Sequence, residues 1–181
     1  MHRFLIEGLI RRPLSEPAAA SEAALSAAAA RLDRAAHRRL GRSLSIRMVD
    51  AGSCNGCELE IHALNNPYYD LARFGLHFVA SPRHADVLMV TGPVTRNMAA
   101  ALRRTYEATP APKWVVAVGD CAADGGCFRG SQAILGGVGE VVPVDLSLPG
   151  CPPRPAEMLA GLLALIEGPR ARPPAAGARP A

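Results

Sequence analysis

The chain has 181 residues, 49% hydrophobic and 20% charged, so one domain can bury a real core and wholesale disorder is excluded. No run approaches the roughly eighteen apolar residues of a membrane-crossing helix, and Phe4–Ile10, broken by Glu7 and Gly8, does not read as a secretory signal. The formal charge of +4 is uneven: residues 1–47 carry nine Arg against four acids, residues 48–168 eight basic residues against twelve acids, and residues 169–181 three Arg and no acid. An acidic body with 4% aromatics lacks the basic stripe and stacking rings of a nucleic-acid binder, so no nucleic-acid partner is expected.

Residues 1–44 are rich in Ala, Arg and Leu and show no strand pattern. Leu25, Ala28, Leu32, Ala36 and Leu40 recur near helical spacing and predict an amphipathic helix over about 18–40. Before it, Phe4, Leu5, Ile6, Leu9 and Ile10 stand beside Arg3, Glu7, Arg11 and Arg12. That stretch could dock on a partner or a membrane surface, or be a frayed arm with no role of its own. Apolar, β-branched runs then predict strands at Ser45–Asp50, Leu76–Ala80, Asp86–Thr91, Lys113–Val118 and Glu140–Val144. Helical patterns lie at Pro67–Phe74, Thr95–Ala108 and Pro155–Glu167, the last with Pro155 in its first turn, where a missing N–H costs little. Strands alternating with helices imply a parallel sheet covered on both faces, a small flavodoxin-like α/β fold. The expected organisation is a helical N-terminal arm over 1–44, an α/β domain over 45–168 and a disordered Pro/Ala/Gly/Arg tail over 169–181.

Five cysteines are present, Cys54, Cys57, Cys121, Cys127 and Cys151, and an odd number without a secretory signal argues against a disulfide framework. Cys54 and Cys57 follow the first predicted strand in Gly52-Ser-Cys-Asn-Gly-Cys57. Cys121 follows the Trp114–Val118 run, and Cys151 follows the last predicted strand in Pro149-Gly-Cys-Pro-Pro153. The carboxyl ends of parallel strands share one edge, where ligands bind, so three distant loops bring four cysteines to one place. Four such thiols could hold an iron–sulfur cluster or a zinc ion, or serve as structural or redox thiols. Structural zinc normally takes two close Cys pairs. Here a single close pair joins two isolated cysteines, with 63 and 29 residues intervening, a spread that suits a wider cluster. A thioredoxin-like role for Cys54 and Cys57 would leave Cys121 and Cys151 unexplained. Gly52, Gly56, Gly119, Gly125, Gly126 and Gly150 flank the cysteines and let backbone N–H groups approach sulfur. The Gly119–Gly126 loop lacks the Gly-Lys-Ser/Thr ending of a phosphate loop, so nucleotide binding has little support. Cys127, six residues after Cys121, is expected to be an unligated thiol.

Several stretches together resemble one known family. They are Ser53-Cys-Asn-Gly-Cys-Glu-Leu-Glu-Ile61, Ser81-Pro-Arg-His-Ala-Asp-Val-Leu-Met-Val-Thr-Gly92, Ala99-Ala-Ala-Leu-Arg-Arg104, Val118-Gly-Asp-Cys121 with Gly125-Gly126, and Val142-Pro-Val-Asp145 leading to Pro149-Gly-Cys-Pro-Pro153. The sequence resembles the 20-kilodalton iron–sulfur subunit of respiratory complex I, a family that includes the small subunits of membrane-bound nickel–iron hydrogenases. The resemblance covers roughly residues 45–167. It implies one [4Fe–4S] cluster bound by Cys54, Cys57, Cys121 and Cys151. In the complex I branch the first two ligands are adjacent, whereas Asn55-Gly56 separates them here. That spacing resembles the hydrogenase branch, formate hydrogenlyase above all. The further Cys-rich region of long hydrogenase small subunits has no counterpart in this sequence, hence a single cluster.

The implied role is an electron relay that breaks no substrate bond itself. It would run between ferredoxin-like iron–sulfur subunits and a larger partner: a hydrogenase large subunit, or, in the alternative NADH–quinone oxidoreductase reading, a complex I 49 kDa-type homologue. Membrane-arm subunits are the other implied partners, and the implied location is cytoplasmic, peripheral on the inner face of the cell membrane. Glu60 aligns with an acid near the partner's active site and could pass protons; otherwise it is a solvated or ion-paired surface residue. Arg83, His84 and Asp86 are expected to make structural hydrogen bonds at the sheet edge, and Arg103 and Arg104 to meet a partner or solvent. His62 and His77 have no companion at ligand spacing. From a different class, a structural zinc-binding protein remains the alternative.

Overall fold

Val87-Leu88-Met89-Val90-Thr91 and Trp114-Val115-Val116-Ala117-Val118 have no polar face to turn to water, and both form strands buried at every position. They are the centre of the computed structural model, which describes residues 22–168. The Phe4–Ile10 stretch, the start of the helix expected from residue 18 and the tail 169–181 lie outside the described residues.

In chain order, helix α1 is Glu22–Leu40 and strand β1 is Ser45–Asp50. Helix α2 (Gly56–Ala63) and the two-residue strand β2 (His77–Phe78) follow. Next come β3 (Val87–Thr91), β4 (Val94–Thr95), α3 (Arg96–Ala108) and β5 (Trp114–Val118). The chain ends with α4 (Asp120–Asp124), β6 (Ile134–Gly136), β7 (Leu146–Leu148) and α5 (Pro155–Glu167). The main sheet has five parallel strands in the order β2-β1-β3-β5-β7, the order of flavodoxin-like folds, and β4 pairs with β6 in a small antiparallel sheet.

Side chains alternate across the central strands with period two, so each strand feeds two cores. Val87, Met89, Val116 and Val118 face α1, α2 and α5, where Ala29, Leu32, Ile61, Met158 and Leu162 complete one apolar layer. Leu88, Val90, Val115 and Ala117 face α3 and the loops beyond α4, with Ala99, Leu102, Val138 and Val142 in the second layer. Helix α1 packs along α5. Its Leu25, Ala29, Leu32 and Ala36 are buried, at nearly the spacing that predicted the helix. Arg39 at its end reaches α5 and donates to the carbonyls of Ile166 and Gly168 at 2.6 and 2.8 Å.

Three expected elements differ in the structure, and of the run Leu76–Ala80 only His77–Phe78 is strand. The run Glu140–Val144 is no strand: a 3₁₀ turn at Val138–Glu140 leads into a loop, and the edge strand forms just beyond it at Leu146–Leu148. Pro143 has no N–H to give a ladder, whereas Asp145 donates its N–H to Val115 O at 2.9 Å and accepts from Val115 N at 2.8 Å. The helix expected at Pro67–Phe74 shrinks to a 3₁₀ turn at Leu71–Phe74. Asn66 Oδ1 takes the N–H groups of Tyr68 and Tyr69 at 2.9 and 3.0 Å, and Asp70 adopts a left-handed conformation with φ 43°. Both divert the backbone from helical bonding.

Asp86 makes the structural bonds expected of it. Its carboxylate, 3% exposed, accepts from Arg42 through two contacts of 2.6 and 3.1 Å and from Ser45 N at 2.9 Å, tying the start of β1 to the start of β3. Burial pushes its pKa up, and this outweighs the downward pull of the Ser45 N–H and Arg42. A raised folded pKa means that Asp86 contributes its full stability below the ordinary value of 3.8 and loses it as pH rises through the folded value. Arg42 offsets that loss at neutral pH. Arg42→Ala should therefore cost about 1–2 kcal/mol near neutral pH, reduced because Arg42 is half exposed. The cost should fade at pH below the ordinary carboxylate value, where Asp86 is protonated in both states. Thermal melts of both chains across that pH range check this.

Candidate metal centre at the carboxyl edge of the sheet

The carboxyl ends of β1, β5 and β7 open onto one edge, and a cysteine-bearing loop leaves each of them. After β1, Asp50 Oδ1 gathers the N–H groups of Gly52 and Ser53 at 2.7 and 2.8 Å, and Ser53 Oγ accepts from Asn55 N at 3.1 Å. Asn55 is left-handed, with φ 73°, and turns the chain into α2 with Cys57 in the first turn. The loop is moored from outside as well. Ala51 donates to Thr91 O at 3.0 Å, and its carbonyl accepts from Thr95 N and Oγ1 at 2.9 and 3.0 Å.

The other two loops hold each other. Gly119 N donates to Leu148 O at 2.8 Å and Asp120 N to Gly150 O at 2.9 Å, while Gly150 N returns a bond to Asp120 Oδ1 at 2.8 Å. Cys121 and Cys151 are thus carried on segments locked by reciprocal bonds, one between backbones and one to the Asp120 carboxylate. The Cys151–Pro152 peptide is cis.

Cys57 lies within electrostatic reach of Cys54, Cys121 and Cys151, so the structure brings all four sequence-selected thiols to one place. Cys54 and Cys151 are exposed, and Cys57 and Cys121 are half-buried. Burial is the main reason that the Cys57 thiol is pushed up to about 12; Glu58 and the three other cysteines add to it. Burial also raises the Cys121 thiol, followed by its neighbour Cys127, whose backbone N–H pulls the other way. Among the described residues, no three His, Cys, Asp or Glu side chains are grouped as a single metal ion requires. The donor set is nonetheless that of a thiophilic group, and the backbone leaves room around it: a Cβ on Gly119 would stand 2.6 Å from Cys57 Sγ and 3.2 Å from Gly150 O. An iron–sulfur cluster fits these residues in chemistry and in the space the glycines leave.

Glu60 is half-buried on α2, and its charge acts on Tyr69, whose phenol is raised by burial first and then by Tyr68 and Glu60. Arg83, His84, Arg103, Arg104, His62 and His77 are exposed. Sequence reasoning missed Glu58. It is 4% exposed, both its carboxylate oxygens are buried without a hydrogen-bond partner, and its charge acts on Cys57. The signal was available in principle. Once α2 is recognised, Glu58 lies three residues before Ile61 on the same inward stripe.

Residues 54–165 match the profile of the NADH ubiquinone oxidoreductase, 20 Kd subunit, family. An uncharacterised protein of Methanocaldococcus jannaschii is 50% identical over 122 residues, covering 67% of this chain and 82% of that protein. A probable membrane-bound hydrogenase subunit of Pyrococcus furiosus is 46% identical over 128 residues, covering 71% and 77%. Formate hydrogenlyase subunit 7 of Escherichia coli is 44% identical over 133 residues, which are 72% of this chain but 52% of that longer protein. Among solved structures, a chain of an archaeal respiratory complex, the membrane-bound sulfane sulfur reductase, superposes with a TM-score of 0.63 at 34% identity, over 74% of this chain and 73% of that one. A chain of an NAD+-reducing [NiFe]-hydrogenase in the H2-reduced state shares the fold, with a TM-score of 0.55 at 22% identity, over 74% and 97%. The matched region runs from Cys54 into the last turns of α5 and takes in the whole cysteine edge, and the chain belongs to the family of the 20 kDa subunit of NADH ubiquinone oxidoreductase.

Proposed function

We propose that this chain is an electron-transfer subunit of a membrane-associated [NiFe] hydrogenase complex of the formate hydrogenlyase kind, carrying one [4Fe–4S] cluster on Cys54, Cys57, Cys121 and Cys151. The observation that carries the reading is the convergence of four thiols from three separate loops on one sheet edge. When bound, a [4Fe–4S] cluster accepts and donates single electrons.

The chain's own share is to fix the sulfurs and shape their surroundings. Cys57 at the start of α2 is half-buried, and the desolvation and crowding that keep it a thiol mean that loading must displace its proton. The reciprocal Asp120–Gly150 bonds hold the segment that carries Cys121 to the segment that carries Cys151, so those two ligands need little backbone ordering when they bind. Glu60, half-buried beside Tyr69, is the group we assign to proton passage toward the larger partner. The Asn55-Gly56 spacer favours the hydrogenase branch over the quinone branch, and two similar proteins are named as hydrogenase or formate hydrogenlyase subunits. A single close Cys pair, Cys54 and Cys57, with two isolated cysteines disfavours structural zinc, which normally takes two close pairs.

The partners of this reading are a hydrogenase large subunit, a ferredoxin-like subunit and membrane-arm subunits. Among the described residues no helix is long and apolar enough to cross a membrane. We place the chain on the cytoplasmic face, held by its complex. Anaerobic purification of the chain with its native partners, followed by elemental analysis, tests the proposal. The expected result is about four irons per chain beyond those of co-purified ferredoxin subunits, together with nickel. Iron without nickel would transfer the chain to the quinone-reducing branch. Zinc, or an intact complex without metal, would overturn the relay.

A further inference from the structure

Helix α1 turns an unbalanced charge outward. Its Ala29, Leu32 and Ala36 are buried in the layer shared with α5, and every exposed side chain described on it is Ala, Arg or His. Arg31, Arg34 and Arg38 are spaced by three and four residues, so they form one line along the outer face. The helix dipole accounts for Arg38 in the last turn, beside His37 and Arg39, but not for Arg31 and Arg34 farther back. Arg31 is answered by Glu167 of α5, to which its Nε and Nη2 donate at 2.8 and 2.6 Å. Among the described residues, none of the ion pairs involves Arg34 or Arg38.

Beside this line, α1 and α5 border an open cleft of about 500 Å³ lined by Arg31, Arg38 and Arg39 with Glu167 and Gly168. Arg39 is fixed there, since Nη1 donates to the carbonyls of Ile166 and Gly168 at 2.6 and 2.8 Å and the guanidinium lies 4.9 Å from the centroid of the Trp114 ring. Three Arg thus face one carboxylate. The tail has the wrong charge to cover them, because residues 169–181 carry three Arg and no acid.

We infer that the outer face of α1, with the α1–α5 cleft, rests on an anionic phospholipid surface. The inference rests on the membrane-associated complex of the reading above and gives this chain a bilayer contact of its own. Negatively charged headgroups attract Arg held close to them, and the attraction decays within a Debye length. The contact is electrostatic and peripheral, because the apolar side of α1 is buried against α5 and the sheet rather than free to insert. The sequence ahead of α1 favours a bilayer over an acidic protein as the occupant. There the apolar run Phe4–Ile10 stands between Arg3 and Arg11-Arg12, a mixture of apolar and basic residues suited to the headgroup boundary.

The test is co-sedimentation of the full chain with vesicles of phosphatidylcholine alone, or of phosphatidylcholine with phosphatidylglycerol at about two to one. The chain should bind the mixed vesicles only, and high salt should release it. Arg34→Ala with Arg38→Ala should weaken that binding about tenfold, while Arg34→Lys with Arg38→Lys should keep it. Both side chains are exposed, so thermal melting should be unchanged. Arg103→Ala with Arg104→Ala removes the same charge from α3, on the other face of the sheet, and should bind as wild type. Equal binding to both kinds of vesicle, or none, overturns the inference. So does wild-type binding by the α1 alanine pair, or an equal loss in the α3 pair. An α1 alanine pair that binds vesicles normally but drops out of the purified complex would assign the face to an acidic subunit instead. Vesicle binding needs neither cluster nor partner, so its failure is distinct from a failed metal count, which decides the electron-transfer reading.

Discussion

Replacing any one of Cys54, Cys57, Cys121 and Cys151 by alanine should remove most of the iron and the visible chromophore from the purified complex, while Cys127→Ala should keep both. The expectation follows from how the four thiols are held. Each comes from a loop held by hydrogen bonds: the Asp50 and Ser53 turn for Cys54 and Cys57, and the mutual Asp120–Gly150 exchange for Cys121 and Cys151. A rigid edge cannot shift a neighbouring donor into a vacated place, so losing one thiolate leaves an open coordination position. Cys57→Ala should also lower the stability of the apo chain slightly, since Cys57 packs against the layer formed with α1 and α5. The other three substitutions should spare the sheet. Iron analysis with visible absorbance, paired with thermal melting, separates loss of the cluster from loss of the fold. Full iron in Cys121→Ala and Cys151→Ala would return the chain to a dithiol chemistry confined to Cys54 and Cys57.

The parts legible in the sequence were those whose signal is local. Strands β3 and β5 declare themselves because strands buried on both faces must be apolar throughout. Helices α3 and α5 carry their own start signals. Thr95 Oγ1 accepts from Met98 N at 3.3 Å, and Pro155 opens α5 while Glu157 reaches back to Arg154 N at 2.9 Å. Strand β7 was misplaced because three residues, Leu146-Ser147-Leu148, carry too little pattern; the ladder to β5 and the Asp145–Val115 pairing that leads into it fix them, and both exist only in the folded chain. The β4–β6 pair was invisible for the same reason, since Thr95 and Ile134 meet only in the folded chain. Helix α2 was missed because Cys-Glu-Leu-Glu-Ile alternates like a strand, and its start is set by left-handed Asn55. The candidate site fared better than its surroundings. The cysteines sit just past strand ends, which the sequence marks, but the burial of Glu58 depends on α2 and the close approach of Gly126 to Cys121 depends on the left-handed Gly125-Gly126 return, neither of which spacing reveals.

Gly119→Ala should abolish cluster loading with all five cysteines still in place. Gly119 joins the end of β5 to the Cys121 segment with φ 88°, a conformation that costs a side-chain-bearing residue about 1–3 kcal/mol. Steric conflict adds to that cost. The new methyl would meet Cys57 Sγ at 2.6 Å on one side and Gly150 O at 3.2 Å on the other, so it wedges between the loop after β1 and the loop after β7. Cys57 Sγ can escape only by rotating away from the other sulfurs, and Gly150 O can move only by breaking its bond from Asp120 N. Either relief separates ligands that must converge. The sheet has less at stake, because the Gly119 N–H still reaches Leu148 O and the β3–β5 and β5–β7 ladders are untouched. The expected signature is therefore a folded, assembled chain with little iron and a modestly lowered melting temperature. Gly139→Ala is the matched control: no atom lies within 4 Å of its added Cβ, so iron and melting should stay at wild-type values. If Gly119→Ala loads iron as fully as Gly139→Ala, the sulfur of Cys57 does not face the common site, and the ligand set built on it fails.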